Sequence, residues 1–185
     1  MAQLNKFQKE AILRRVDFAN KEINEILLFS DFDYQEYLKN TEKRKVIERT
    51  IENIVNCIID ISKILLSGEN IEIPRTYSEA VRKLQEVNFI SKKDSEILSN
   101  FVRLRNLLSH EYLDILWKEI KNFIDNIEII RNFLEKVKFL VSSNRDNIIH
   151  SLLLPQLLHA SKLYPYKDNL FRLPLLSLLL IFFPL

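Results

Sequence analysis

One glycine, Gly68, serves all 185 residues of this chain. Tight β-hairpins need positions with positive φ, which glycine supplies at no steric cost, so few hairpins can be built here. Long helices joined by short connections are the natural alternative. Hydrophobic residues make up 47% of the sequence, enough for one domain with a buried core.

The periodicity agrees. Between residues 4 and 29, Leu4, Phe7, Ala11, Ile12, Val16, Phe18, Ala19, Ile23, Ile26 and Leu27 recur mostly at spacings of three and four, as on an amphipathic helix. Asp33 with Glu36 has the form of a capping box and opens a second, long helix. Its strongest part runs from Val46 to Leu66 and meets a stop at Ser67-Gly68. After Pro74, Thr76 with Glu79 opens a short helix, YSEAVRKLQEV. Ser91 with Asp94 precedes SEILSNFVRLRNLLSH, and a last helix is predicted over roughly 115–141. About five helices without a strand, closely connected, predict an all-α, up-and-down bundle.

Beyond Val141 the pattern breaks. SSNRDN is polar, and four of the five prolines follow it. The final uncharged run, Leu173 to Leu185, has 13 residues, short of the ~20 that span a bilayer. The expected organisation is a helical domain over 1–141 and an atypical apolar tail over 142–185. That tail reads as an extension outside the domain or as an anchor for a membrane or partner, membrane insertion being the less favoured.

Lys and Arg number 27 against 25 Asp and Glu, a net charge of +2. Bulk electrostatics therefore does not direct the chain to nucleic acid, and any such contact must come from a local cluster. Cys57 is alone, so an internal disulfide is excluded, and its setting in IVNCIIDI is that of a core residue. MAQLNKFQKE lacks the apolar segment of a signal peptide, and a cytoplasmic setting is expected.

The densest chemistry lies in RNLLSHEYLDI, residues 105–115. On an α-helix Arg105, Asn106, Ser109, His110 and Tyr112 share one broad face, with Leu104, Leu107 and Leu108 on the opposite, core-facing arc. Val102 and Leu113 fall among the polar groups, which suggests a cleft or a dimer interface. Arginine offers a permanent charge and a donor fork for phosphate oxygens, and histidine passes protons near neutral pH. Such a pair can drive RNA cleavage by RNA's own 2′-hydroxyl. No second histidine or paired carboxylates stand nearby at metal-ligand spacing, so neither metal nor cofactor is expected. A solvated helix end would read much the same.

RNLLSHEY resembles the R-x-x-x-x-H-x-Y motif of HepT-like toxins of the HEPN superfamily. The likeness extends over roughly 40–140, through ERTIENIVNCIIDISKILL and IPRTYSEAVRKLQEVNFIS. The resemblance implies a helical homodimer acting as a metal-independent endoribonuclease of a toxin–antitoxin pair. Arg105 would bind the scissile phosphate, His110 would be the general acid or base, and Asn106 would give polar support. Tyr112 would be the target of adenylylation by a minimal nucleotidyltransferase antitoxin of the MntA type. The tail after Val141 departs from the family pattern.

Three further residues stay open. Asp60, among isoleucines, fits either an ion pair with an arginine or support of the site. Arg49 is an exposed helix arginine or an RNA contact, and Tyr77 a core or helix-start aromatic. His150 and His159, in the tail, read as incidental. Two rivals also remain: a non-catalytic helical binding subunit of a minimal nucleotidyltransferase, and a membrane-associated helical protein.

Overall fold

The computed structural model describes residues 3–108 and 113–142, with the backbone alone for 113–116. These residues form seven helices and no strand. They are α1 (Lys6–Leu27), α2 (Tyr34–Lys39), α3 (Thr41–Gly68), α4 (Tyr77–Glu86), α5 (Lys92–Leu107), α6 (Leu113–Asp125) and α7 (127–142). The expected helical class holds, but two of the expected helices are each divided at an asparagine. Asn40 leaves helical geometry at φ −105°, ψ 85°, and its side chain accepts the Lys43 N–H at 3.0 Å, closing α2 and opening α3. Asn126 separates α6 from α7 and turns its amide back onto the Asn122 carbonyl at 2.8 Å. A short side chain that bonds nearby backbone competes with the helix ladder, and hydrophobic periodicity does not register it.

The predicted helix starts are present as N-caps. Asp33, Thr76 and Ser91 accept the N–H groups of Glu36, Glu79 and Asp94. Asn5 and Gln8 form a reciprocal capping box that opens α1.

The stop at Gly68 is corrected in its mechanism. Gly68 stays within α3, and the left-handed positions fall on Asn70 (φ 56°) and Asn88 (φ 55°). After α3, Ile71 N–H reaches Leu66 O at 3.0 Å and Asn70 N–H reaches Ser67 O at 3.2 Å. After α4, Phe89 N–H reaches Leu84 O and Asn88 N–H reaches Gln85 O, both at 2.9 Å. Both ends are Schellman motifs in which asparagine takes the place glycine usually fills. Helix termination therefore needs almost no glycine here.

α1 packs along α3 in antiparallel fashion, as the pairs Arg15–Asp60 (2.9 Å) and Glu22–Asn53 (2.8 Å) establish. Ile47, Ile51, Ile54, Ile58, Ile61 and Leu65 bury one stripe of α3. Each such side chain contributes roughly 1.5–3 kcal/mol. Cys57 lies in this seam, and burial pushes its thiol up to about 11; Arg15 pulls the other way, while Asp60 and Glu22 add to the rise. The expected core role of Cys57 is borne out. Phe7 and Phe18, counted with the apolar face of the first helix, are instead exposed on its outer side.

Aromatic packing fixes the helices on either side of residues 109–112. Phe101 of α5 meets Phe123 of α6 edge-on at 4.7 Å. Trp117 of α6 lies 5.2 Å from Tyr37 and 6.4 Å from both Phe32 and Tyr34. Tyr37 is fully buried and donates its hydroxyl to Glu48 at 2.6 Å. Burial, and then that bond and the Glu48 charge, push its phenol well above the ordinary range. Among the described residues no helix is long and apolar enough to cross a membrane. The expected tail, 142–185, lies outside the described residues from 143 onward.

Candidate functional site

α5 packs against α4, α3 and α6. Its apolar arc is correspondingly broad: Leu98, Phe101, Val102 and Leu104 are all buried. This corrects the expectation for Val102, which packs into the protomer core and gives no fringe to the polar face. A helix packed against three others buries more of its circumference than a one-sided bundle helix. Leu107, expected in the core, is 37% exposed.

Arg105 stands in that last turn and is half-buried. A cation there is favoured by the helix dipole, at ~0.3–1 kcal/mol. Its Nη1 donates to the Asn106 side-chain oxygen at 3.3 Å. Among the described residues, Arg105 has no carboxylate partner. Its guanidinium lies 5.9 Å from the centre of the Tyr77 ring, at the outer range of a cation–π contact. Lys63 of α3 approaches the same ring more closely, at 4.2 Å. Tyr77 is the first residue of α4 and is 44% exposed. It is a helix-start aromatic, as one expected alternative had it, and not a core residue.

The other candidates separate. Ser109, His110, Glu111 and Tyr112 lie outside the described residues, and so does the side chain of Leu113. Arg105 and Asn106 are brought together, and α5 delivers them directly to the segment that carries His110 and Tyr112. Asp60 is committed elsewhere, its carboxylate accepting from Arg15 Nε of α1 at 2.9 Å. Arg49 is exposed and paired with Glu52 one turn on, at 3.0 Å. Sequence reasoning did not single out Lys63, and it assigned Tyr77 no role beside Arg105. The only local signal was the position of Tyr77 directly after the Thr76 cap. Nothing near Lys63 in sequence points to a residue 42 positions later.

These features can hold an anionic group beside a short segment that carries a histidine and a tyrosine. Comparison with known proteins fits that chemistry. The family described as ribonuclease HepT-like matches residues 19–137. No curated protein sequence matches the chain. Among solved structures, a toxin–antitoxin complex with AMP-PNP is similar at 17% identity and TM-score 0.63, covering 73% of this chain and 100% of that one. A tri-AMPylated Shewanella oneidensis HEPN toxin in complex with its MNT antitoxin is similar at 19% identity and TM-score 0.60, covering 73% and 98%. YutE from Bacillus subtilis, a cytosolic protein of unknown function, is similar at 14% identity and TM-score 0.62, covering 78% and 95%.

Proposed function

The chain belongs to the HepT-like ribonuclease family, and from that premise we propose that it is an endoribonuclease toxin of a toxin–antitoxin pair. The RNA 2′-hydroxyl attacks the adjacent phosphorus, and the 5′-oxygen of the next nucleotide leaves. The products are a 2′,3′-cyclic phosphate and a free 5′-hydroxyl. Arg105 holds the scissile phosphate and offsets the charge that builds on it. His110 is the general acid or base, moving the proton of the attacking or the leaving oxygen. Asn106 supports the Arg105 side chain. Asp60 is given a structural part only, in the ion pair with Arg15 that joins α3 to α1. The observation that carries this reading is Arg105 itself: a half-buried arginine without a carboxylate partner among the described residues, five positions before a histidine, within the matched region.

Control is proposed to act at Tyr112. A nucleotidyltransferase antitoxin of the MntA type would adenylylate its phenol, bringing phosphate charge and base bulk toward the guanidinium that grips RNA. The AMPylated state of the similar Shewanella oneidensis toxin supports this reading. The working form is proposed to be a cytoplasmic homodimer, with exposed Leu107 beside Arg105 and Asn106 as an apolar fringe to the shared cleft. The catalytic domain is proposed to occupy 1–141, since the family match ends at 137, with 142–185 as an appendage.

The test is cleavage of single-stranded RNA by the purified chain in EDTA. Products ending in 2′,3′-cyclic phosphate are expected. Strict dependence on a divalent ion would overturn the metal-independent mechanism, and no cleavage under any condition would favour a non-catalytic binding subunit of a nucleotidyltransferase.

A further inference from the structure

Three helices converge on the ring of Tyr77: α4 supplies the ring, α3 supplies Lys63 and α5 supplies Arg105. Both cations are half-buried. Among the described residues neither has a carboxylate partner, whereas Arg15, Arg49, Lys121 and Arg131 each have one. The acid one turn before Lys63 on the same helix, Asp60, is bound to Arg15 and does not neutralise it. An aromatic ring is an unusual choice of partner for two positive charges. Its quadrupole attracts each cation but carries no net charge. A carboxylate in the same place would cancel one of the two. The ring instead collects two full positive charges and leaves their N–H donors for a ligand that brings its own negative charge.

We propose that Lys63 and Tyr77 form a second phosphate subsite beside Arg105, which grips a phosphate of single-stranded RNA flanking the scissile one. This rests on the reading of Arg105 as the residue that holds the scissile phosphate. Lys63 supplies the charge to the neighbouring phosphate. Tyr77 is a positioning residue, holding Lys63 and Arg105 on one ring so that two linked phosphates meet two cations together. Two linked phosphates offer one to each cation, so the site is expected to prefer a strand over a mononucleotide or a phosphate ion. The subsite acts in binding, so its loss raises KM and leaves kcat nearly unchanged.

The experiment measures binding of a fluorescent single-stranded oligoribonucleotide across a salt series. It uses the full chain carrying His110→Ala so that the probe survives. Adding Lys63→Ala is expected to weaken binding about tenfold at low salt and to flatten the slope of log K against log salt by roughly 0.7, the loss of one phosphate contact on a single strand. Lys63→Arg should restore both. Tyr77→Phe should bind like the parent, because the ring remains, and Tyr77→Leu should resemble Lys63→Ala. In the otherwise wild-type enzyme, Lys63→Ala should raise KM severalfold. An unchanged slope in Lys63→Ala, in a protein whose wild-type form cleaves RNA, would overturn the subsite and leave the ribonuclease reading intact. Equal competition by inorganic phosphate or AMP would overturn the preference for a strand. A wild-type chain that neither binds nor cleaves RNA would remove the ribonuclease reading, and the subsite with it.

Discussion

The α1–α3 seam and the end of α5 treat arginine in opposite ways. In the seam, Arg15 is held by Asp60 at 2.9 Å, and Glu22 is held by Asn53 at 2.8 Å. Both bonds join helices far apart in sequence; the first cancels the arginine's charge, and the second gives the Glu22 carboxylate a neutral donor. At the end of α5, Arg105 leans toward a neutral ring that Lys63 also approaches, and Asn106 accepts one of its N–H groups. Polar groups that build the fold satisfy one another, because an unpaired partly buried charge is costly. Charge in surplus at one spot is tolerated where solvent or a ligand answers it. A chain of net charge +2 can therefore present a local anion site without being basic as a whole.

The largest expected effect separates the two arginines by what their loss damages. Arg105→Ala and His110→Ala should each lower RNA cleavage by ~10²–10⁴-fold while leaving thermal unfolding near that of the wild type. Arg15→Ala should do the reverse. Its ion pair is partly exposed and worth only ~0.5–1 kcal/mol, so it should cost a little stability and leave cleavage intact. Cleavage rates and melting curves on the same preparations decide this. The contrast collapses if Arg15→Ala is as inactive as Arg105→Ala.

Next in size is the effect at Tyr112. Tyr112→Phe should keep most of the nuclease activity yet escape a co-expressed nucleotidyltransferase partner. Intact-mass spectrometry should find added AMP, about 329 Da for each, on the wild type and none on the variant. An unmodified wild-type chain that the partner still silences would favour masking by binding.

The seam carries its own pH signature. In the unfolded chain Cys57 has the ordinary value of 9.0, and in the fold it stands at about 11. Below pH 9 the thiol is protonated in both states and its contribution is fully present. Between those values the unfolded chain gives up the proton and the fold keeps it, so stability falls as pH rises. The loss should reach roughly 3 kcal/mol at most, read as the difference between wild-type and Cys57→Ala denaturation curves from pH 8 to 11. Parallel curves would mean that the thiol is better solvated than its burial implies.

The smallest effect concerns the tail. Both contrasted regions lie before Ser142, so truncation after that residue should leave helicity and cooperative unfolding almost unchanged. Loss of the transition would place part of the core beyond residue 142 and move the domain boundary.

Much of this was legible before any coordinates. The lone glycine and the spacing of apolar residues gave the helical class, because helix periodicity is a local property. Asp33, Thr76 and Ser91 were readable as caps, since an N-cap needs only its own side chain and a backbone N–H three residues on. Arg105 and Asn106 were visible as neighbours on one helix. The divisions at Asn40 and Asn126 and the left-handed turns at Asn70 and Asn88 were not, because asparagine fits helix, cap and turn alike and its neighbours decide which it takes.

What the sequence determined by itself is the kind of element each stretch forms and the direction each side chain takes around its own axis. What lies against that direction was decided only in the tertiary structure. Val102 falls by azimuth among the polar groups of a cleft or interface and is instead buried, where α3, α4 and α6 pack on α5. Leu107, on the arc expected to face the core, is exposed. Asp60 found Arg15 from another helix, and Lys63 and Arg105 met at Tyr77 from three. The azimuth of a residue on a helix is fixed by geometry within a few residues of it. Its partners are fixed by how helices far apart in the chain pack, and local spacing carries no record of that.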